Sequence, residues 1–267
     1  MHPGSLPLRA ALLASLLLGS DAVRSAEVPP PLRSLAEEAT VLATGRQSAR
    51  QRALARLATH RDPAASALLL EQFEHYRKGK LAPALWLDLF EAAAQRNDPR
   101  LRALLAERER ELAQSRDPLR RFQECLEGGD ADAGRAIFEK KPEAGCVRCH
   151  AIAGQGGQIG PDLTWLRKSI ERIRILESLV TPNATIAPGF QSVSVTLRSG
   201  ETVSGVVQSE TAEALVLTSV ADGTQRTVKI AEVTERLALP SPMPPHFGAV
   251  LDKRAIRDLV EFIAVGD

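Results

Sequence analysis

Residues 145–163 read GCVRCHAIAGQGGQIGPDL. Two thiols, Cys146 and Cys149, are followed at once by the imidazole of His150. Three chemistries use such a cluster: a zinc site, a redox dithiol and a covalently attached haem. A structural zinc site takes four protein ligands, and no second Cys/His pair exists in the chain to complete one. A thioredoxin-like dithiol belongs in a βαβ setting, but here a helical pattern precedes and a glycine-rich loop follows. The haem reading uses every residue. Two thiols with two residues between them can add across the two vinyl groups of haem, and the next-door histidine is carried to one axial face of the iron.

Working outward, Gly160-Pro161-Asp162-Leu163 supplies what such a histidine needs around it. A metal-bound imidazole donates its other N–H to a fixed acceptor, and the carbonyl of Pro161 is the candidate. Leu163 is expected to pack on the haem face. Trp165 either lies at the haem edge, where its N–H can reach a propionate, or packs in the core. A sixth iron ligand must come from elsewhere. Of two methionines, Met1 belongs to the signal segment, which leaves Met243. It stands in SPMPPHFG, a proline-stiffened loop, whereas a methionine used as core filler belongs on a helix face. His246 is the rival ligand and is read as a surface loop residue. His60 and His75 fall in helical segments and are read as surface or satisfied helix residues rather than ligands.

The chain has 34 basic and 33 acidic residues, so no bulk charge argues for nucleic acid or for a membrane surface. Arg9 followed by AALLASLLLG reads as a secretion signal over residues 1–26, too short to span a bilayer. Small residues at Ser20 and Ala22, or at Ala26, suit cleavage. The mature protein is expected to be periplasmic or secreted, with no stable membrane span after cleavage. Thiols there tend to be oxidised. With Cys146 and Cys149 used together, Cys125 is left over and is read as a buried small apolar residue.

Residues 27–127 read as helical, with apolar spacing in SARQRALARLATH, AASALLLEQFEHY, PALWLDLFEAAAQ and PRLRALLAERERELA. Asp62-Pro63, Asp98-Pro99 and Asp117-Pro118 are placed to start helices. Gly45 and Gly79 are placed to stop them. Short helices with tight turns suggest either HEAT-like stacked hairpins or a plain bundle. PLRRFQECLEGG reads as a further helix. Gly128-Gly129 marks a domain boundary, and Asp130 is placed to cap the helix DADAGRAIFEKK. After Pro188 the pattern alternates with period two and is rich in Val and Thr, with turns at Ser199-Gly200 and Asp222-Gly223. Residues 188–239 are expected to form a small antiparallel sheet, and DKRAIRDLVEFIAV a closing amphipathic helix.

GRAIFEKKPEAGCVRCHAIAG, IGPDL, the later SPMPP and the helix IRDLVEFI together resemble a class I cytochrome c. The longer run GPDLTWLRKSIERIRILESLVTPNATIAPGFQSVSVTLRSGETVSGVV with a late methionine resembles the haem-binding domain of the Planctomycetes/Verrucomicrobia type, over about residues 118 to 265. The resemblance implies a cytochrome c-like helical domain over 128–267, mainly α, interrupted by the sheet between the haem motif and the methionine loop. It implies one covalent haem c, with Met243 as the distal ligand. Two departures stand out: no large dehydrogenase-like domain accompanies it, and Ser241-Pro242 replaces the serine-leucine pair usual before the methionine. The function expected is a monohaem electron carrier, not an enzyme, serving redox partner proteins such as a dehydrogenase or another cytochrome. Two alternatives remain: a haem sensor or peroxidase with a displaceable sixth ligand, and an interaction module in which haem is accessory.

Overall fold

The computed structural model describes residues 33–166, 169–245 and 247–265. The signal segment and His246 lie outside the described residues. From Ser34 onward the chain forms one compact unit, mainly α with a small β component. Among the described residues it holds three hydrophobic clusters: one in the first helices, one around the cysteine motif and one inside the sheet.

The first cluster is built by α1 (Leu35–Thr44), α2 (Gln47–Thr59), α3 (Ala65–Arg77), α4 (Trp86–Gln95) and α5 (Pro99–Gln114). Local chemistry sets their ends. Ser34 and Glu37 form a reciprocal capping box at the start of α1. Asp98 accepts from the Arg100 amide at 2.8 Å, and Pro99 occupies the first turn of α5. Gly45 ends α1, and Gly79 follows α3 with a φ of +65°. Asp62 accepts from the Ala64 amide at 2.8 Å but caps a short turn, and α3 begins only at Ala65. α4 lies at the centre, packed on α2, α3 and α5. Leu54, Leu57, Leu69, Leu89 and Leu101 fill the space between them.

Residues Pro118–Cys125 form a 3₁₀ helix, not the ordinary helix expected. The reason lies in the spacing. Leu119, Phe122 and Cys125 are three apart, and a 3₁₀ helix brings every third residue onto one face. All three pack in the second cluster. Cys125 is fully buried, and its thiol points at the carbonyl of Lys253 at 3.3 Å.

Gly128 and Gly129 make a close crossing between the first two clusters. A Cβ on Gly128 would stand 2.3 Å from the Ala84 carbonyl oxygen, and one on Gly129 would stand 2.4 Å from that of Arg257. Gln51 reinforces the crossing by donating to the Gly128 carbonyl at 2.8 Å. Asp130 then caps α6 (Ala131–Lys140), accepting from the amides of Asp132 and Ala133 at 2.9 and 3.0 Å.

Beyond α6 come a two-residue hairpin, β1 (Ala151–Ile152) with β2 (Gln155–Gly156), then α7 (Leu163–Leu166) and α8 (Arg172–Val180). A five-stranded antiparallel sheet follows: β3 (Ser192–Leu197), β4 (Thr202–Glu210), β5 (Ala214–Thr218), β6 (Gln225–Lys229) and β7 (Val233–Leu239). The strand order is β6-β5-β4-β3-β7, so the last strand returns to lie beside the first. Val193, Val195, Leu215, Leu217 and Val228 form its own core. The strands begin at Ser192 and not at Pro188.

The chain closes with α9 (Phe247–Val250) and α10 (Lys253–Val265). α10 buries Ile256, Leu259, Val260, Phe262 and Ile263, each contributing about 1.5–3 kcal/mol by leaving water. α6 packs on it through Gly134, where a Cβ would stand 2.0 Å from the Asp258 carbonyl oxygen. α10 also ties the two helical clusters together. Arg257 donates to Asp88 at 2.7 Å with both side chains buried, and Arg254 reaches Asp88 and Glu91.

Candidate functional site

The cysteine motif folds as one tight turn. Cys146–Arg148 is a single 3₁₀ turn, and the Cys146 carbonyl accepts from the amides of Cys149 and His150 at 3.1 and 2.9 Å. This holds both thiols and the imidazole on one short scaffold. The glycine loop beyond it folds back on the turn. Gly157 donates to the Val147 carbonyl and Gly160 to the Cys149 carbonyl, each at 2.8 Å.

His150 is fixed from two sides. Its Nδ1 lies 2.9 Å from the Pro161 carbonyl oxygen, which makes Nδ1 the donor and leaves Nε2 with a free lone pair. Gly160 lies against the ring: a Cβ there would stand 2.5 Å from Cε1. Burial holds the imidazole below its ordinary pKa of 6.5, with the Pro161 contact opposing. The neutral, ligating form is therefore favoured.

These residues open onto a cavity with an empty volume of about 1200 Å³, its open mouth included. Cys146, Cys149, His150, Pro161, Leu163 and Met243 all line it. Met243 arrives from a loop far along the chain. Hydrogen bonds hold that loop: Asn183 Oδ1 accepts from the Ser241 amide at 2.8 Å, and Ser241 Oγ accepts from the Met243 amide at 3.2 Å. Among the described residues the lining contains no Asp, Glu, Lys or Arg. Such a largely apolar wall with a few convergent donors is the ordinary make-up of a cofactor pocket.

The surroundings of the two thiols do not favour a thiolate. Burial pushes Cys146 up to about 11 and also raises Cys149, which Arg148 only partly offsets. Reactive dithiols instead carry a thiolate stabilised below the free value. Nor do the groups converge on a zinc ion. Among the described residues, no three His, Cys, Asp or Glu side chains are placed to hold a metal ion together.

Trp165 departs from the expectation of core packing. It is 82% exposed, neither in the core nor on the cavity wall. α7 is one turn, so Leu163 and Leu166 face inward on the same side, and of the two residues between them Trp165 points out. His60 and His75 belong to the first helices and do not line this cavity.

Several wall residues carry no local motif. Phe138 of α6, Leu179 of α8, Phe247 of α9 and Leu259 and Ile263 of α10 come from five separate stretches with Phe190. Phe190 stands just before β3, at the point where the sequence pattern turns to alternation. The apolar faces of α8 and α10 are visible in their periodicity, but periodicity does not tell a pocket wall from a core. No helix among the described residues is long and apolar enough to cross a membrane. No protein-family model matches the chain, and no curated protein matches it.

Proposed function

We propose that the chain is a c-type monohaem cytochrome that carries single electrons, a member of the haem-binding domain family it resembles. One observation carries this most: a single apolar cavity collects Cys146, Cys149, His150 and Met243 on its walls. The first three are brought there by one local turn, but Met243 is brought there by the whole fold.

The residues present fit a haem. The thiols of Cys146 and Cys149 would hold the haem covalently, through thioether links to its two vinyl groups. His150 offers Nε2, with its tautomer set by Pro161. Met243 offers a soft thioether, which favours the ferrous state. Bound haem supplies a one-electron ferric/ferrous couple. Leu163 and the uncharged wall exclude water and lower the local dielectric, which disfavours the more highly charged oxidised state. Were His150 and Met243 both to bind the iron, the site would serve electron transfer and not substrate binding. The partners are then redox proteins such as a dehydrogenase or another cytochrome, met in the periplasm or outside the cell.

Optical spectroscopy of both redox states tests this. The wild type is expected to keep haem through denaturing electrophoresis, to show the weak near-infrared sulfur-to-iron band when ferric, and to bind carbon monoxide poorly. Met243→Ala should lose the band, lower the potential and bind carbon monoxide readily. Haem that survives denaturation after both cysteines are changed to alanine would defeat the attachment. A wild type that lacks the band and takes up the gas would defeat the carrier reading.

A further inference from the structure

The loop that carries Met243 is short of backbone donors. Pro240, Pro242, Pro244 and Pro245 have no N–H, so Ser241 and Met243 hold the two backbone donors of residues 240–245. Both are engaged. The Ser241 amide donates to Asn183 Oδ1 at 2.8 Å, and the Met243 amide donates to Ser241 Oγ at 3.2 Å. Together they form a relay from the backbone of Met243 to a side chain 58 residues before Ser241.

Asn183 is itself fixed. It stands in the turn that ends α8, where the Thr181 amide donates to the Glu177 carbonyl at 2.7 Å and the Ala184 amide to the Thr181 carbonyl at 2.8 Å. α8 is anchored in turn by its buried Ile175, Leu176 and Leu179. Ile175, Ser178, Leu179 and Pro182 line the same cavity as Met243, so the relay ties the loop to a wall of that cavity. Asn183 does not line the cavity, and its hold on Met243 runs through the loop. Proline fixes φ at four of the six loop positions. A displacement of Ser241 is therefore passed on to Met243 and not absorbed between them.

We propose that Asn183 is a positioning residue for Met243: its Oδ1 holds the loop in register with α8 and thereby sets how firmly the thioether serves as sixth ligand. This rests on the haem reading above. With the relay intact, the thioether is presented in one place. Without it the stiff loop swings as a unit, and the sulfur spends a smaller fraction of time at the site. The potential and the access of an added ligand to the iron both follow from that fraction.

Two variants of the full chain, read beside the wild type, test it. Asn183→Leu keeps the bulk and removes the acceptor; Asn183→Asp keeps an acceptor oxygen. At unchanged haem content, Asn183→Leu should weaken the near-infrared sulfur-to-iron band and lower the potential. Its affinity for carbon monoxide should rise about two- to tenfold, the factor that one net hydrogen bond implies. Asn183→Asp should restore the band and the gas affinity, which a merely structural role for the bond would leave unmoved. Amide hydrogen exchange by nuclear magnetic resonance adds a readout of the relay itself: the Ser241 amide should exchange slowly in the wild type and faster in Asn183→Leu. A wild type without the band defeats the haem reading and this proposal with it. A wild type that shows the band, matched by Asn183→Leu in band, potential and gas affinity, overturns this proposal alone. Should Asn183→Leu fail to fold, the wild type decides, because a Ser241 amide exchanging as fast as in an unstructured peptide means that no relay holds the loop.

Discussion

Ser192 and Leu239 face each other across the β3–β7 pair. They are the first residue of the sheet and the last. The chain therefore leaves the helical body and re-enters it at neighbouring points, about 5 Å apart between Cα atoms as in any antiparallel pair. Everything between them folds on its own core of Val193, Val195, Leu215 and Leu217.

Excision follows from this geometry. Deleting residues 193–238 and joining Ser192 to Leu239 through a two-residue turn should leave the helical circular dichroism and the haem content intact. Phe190 must stay, because it lines the cavity. A deletion from Pro188 removes that wall residue and should lower haem content. Loss of the cooperative unfolding transition in the shorter deletion would show that the sheet holds up the helical body.

The contact between Gly160 and the His150 ring predicts a sharp steric effect. Gly160→Ala places a methyl group 2.5 Å from Cε1, so the ring must move and its Pro161 contact must break. Overpacking of this kind costs about 1–3 kcal/mol. Chemical unfolding should show that loss, and haem content per chain should fall. Full haem content with an unchanged spectrum would mean that the imidazole has room to shift.

Asp88 and Arg257 are a buried ion pair joining the first two clusters, each side chain 4% exposed. Asp88→Ala leaves the guanidinium buried without its carboxylate and should cost about 3–5 kcal/mol in urea unfolding. The double change Asp88→Leu with Arg257→Leu should recover most of that loss. If the single variant costs under about 1 kcal/mol, water reaches the pair and it behaves as a surface one.

Asp258 gives a pH signature. It accepts from the Asp130 amide at 2.9 Å, but burial raises its pKa above the ordinary 3.8, against the opposing pull of that amide and of Arg257. A carboxyl whose folded pKa is raised binds more protons when folded than when unfolded, so stability falls as pH rises through that window. Asp258→Asn keeps an acceptor oxygen and removes the charge. Its stability relative to the wild type should be highest near neutral pH and should shrink as pH falls from the folded pKa toward 3.8. Parallel urea titrations of both proteins across that range check the sign. A difference that stays constant with pH would show that Asp258 is not desolvated.

Much of the molecule is legible in short stretches of its sequence, because the forces that set it are local. Asp98-Pro99 starts α5, since the carboxylate reaches an amide two residues on. Cys146, Cys149 and His150 share one turn because three intervening peptide units suffice to close it. The alternation after Pro188 announces strands, for a pleated backbone has period two. The Pro161 carbonyl could be named as a partner of His150 because the glycine loop between them is short.

What only the tertiary structure decided are the outcomes of competition between distant surfaces. Trp165 is as apolar as its neighbours in α7, but a one-turn helix has a single inward side, and Leu163 and Leu166 take it. The 3₁₀ form of Pro118–Cys125 depends on a cluster waiting for Leu119, Phe122 and Cys125 on one face. Gly128-Gly129 looks like slack in the chain, yet it is a close crossing because Ala84 and Arg257 approach from two directions. Met243 shares a cavity with His150 because Asn183 pins its loop. Residue types and spacing name the groups available for chemistry; which of them meet is set by packing summed over the whole chain.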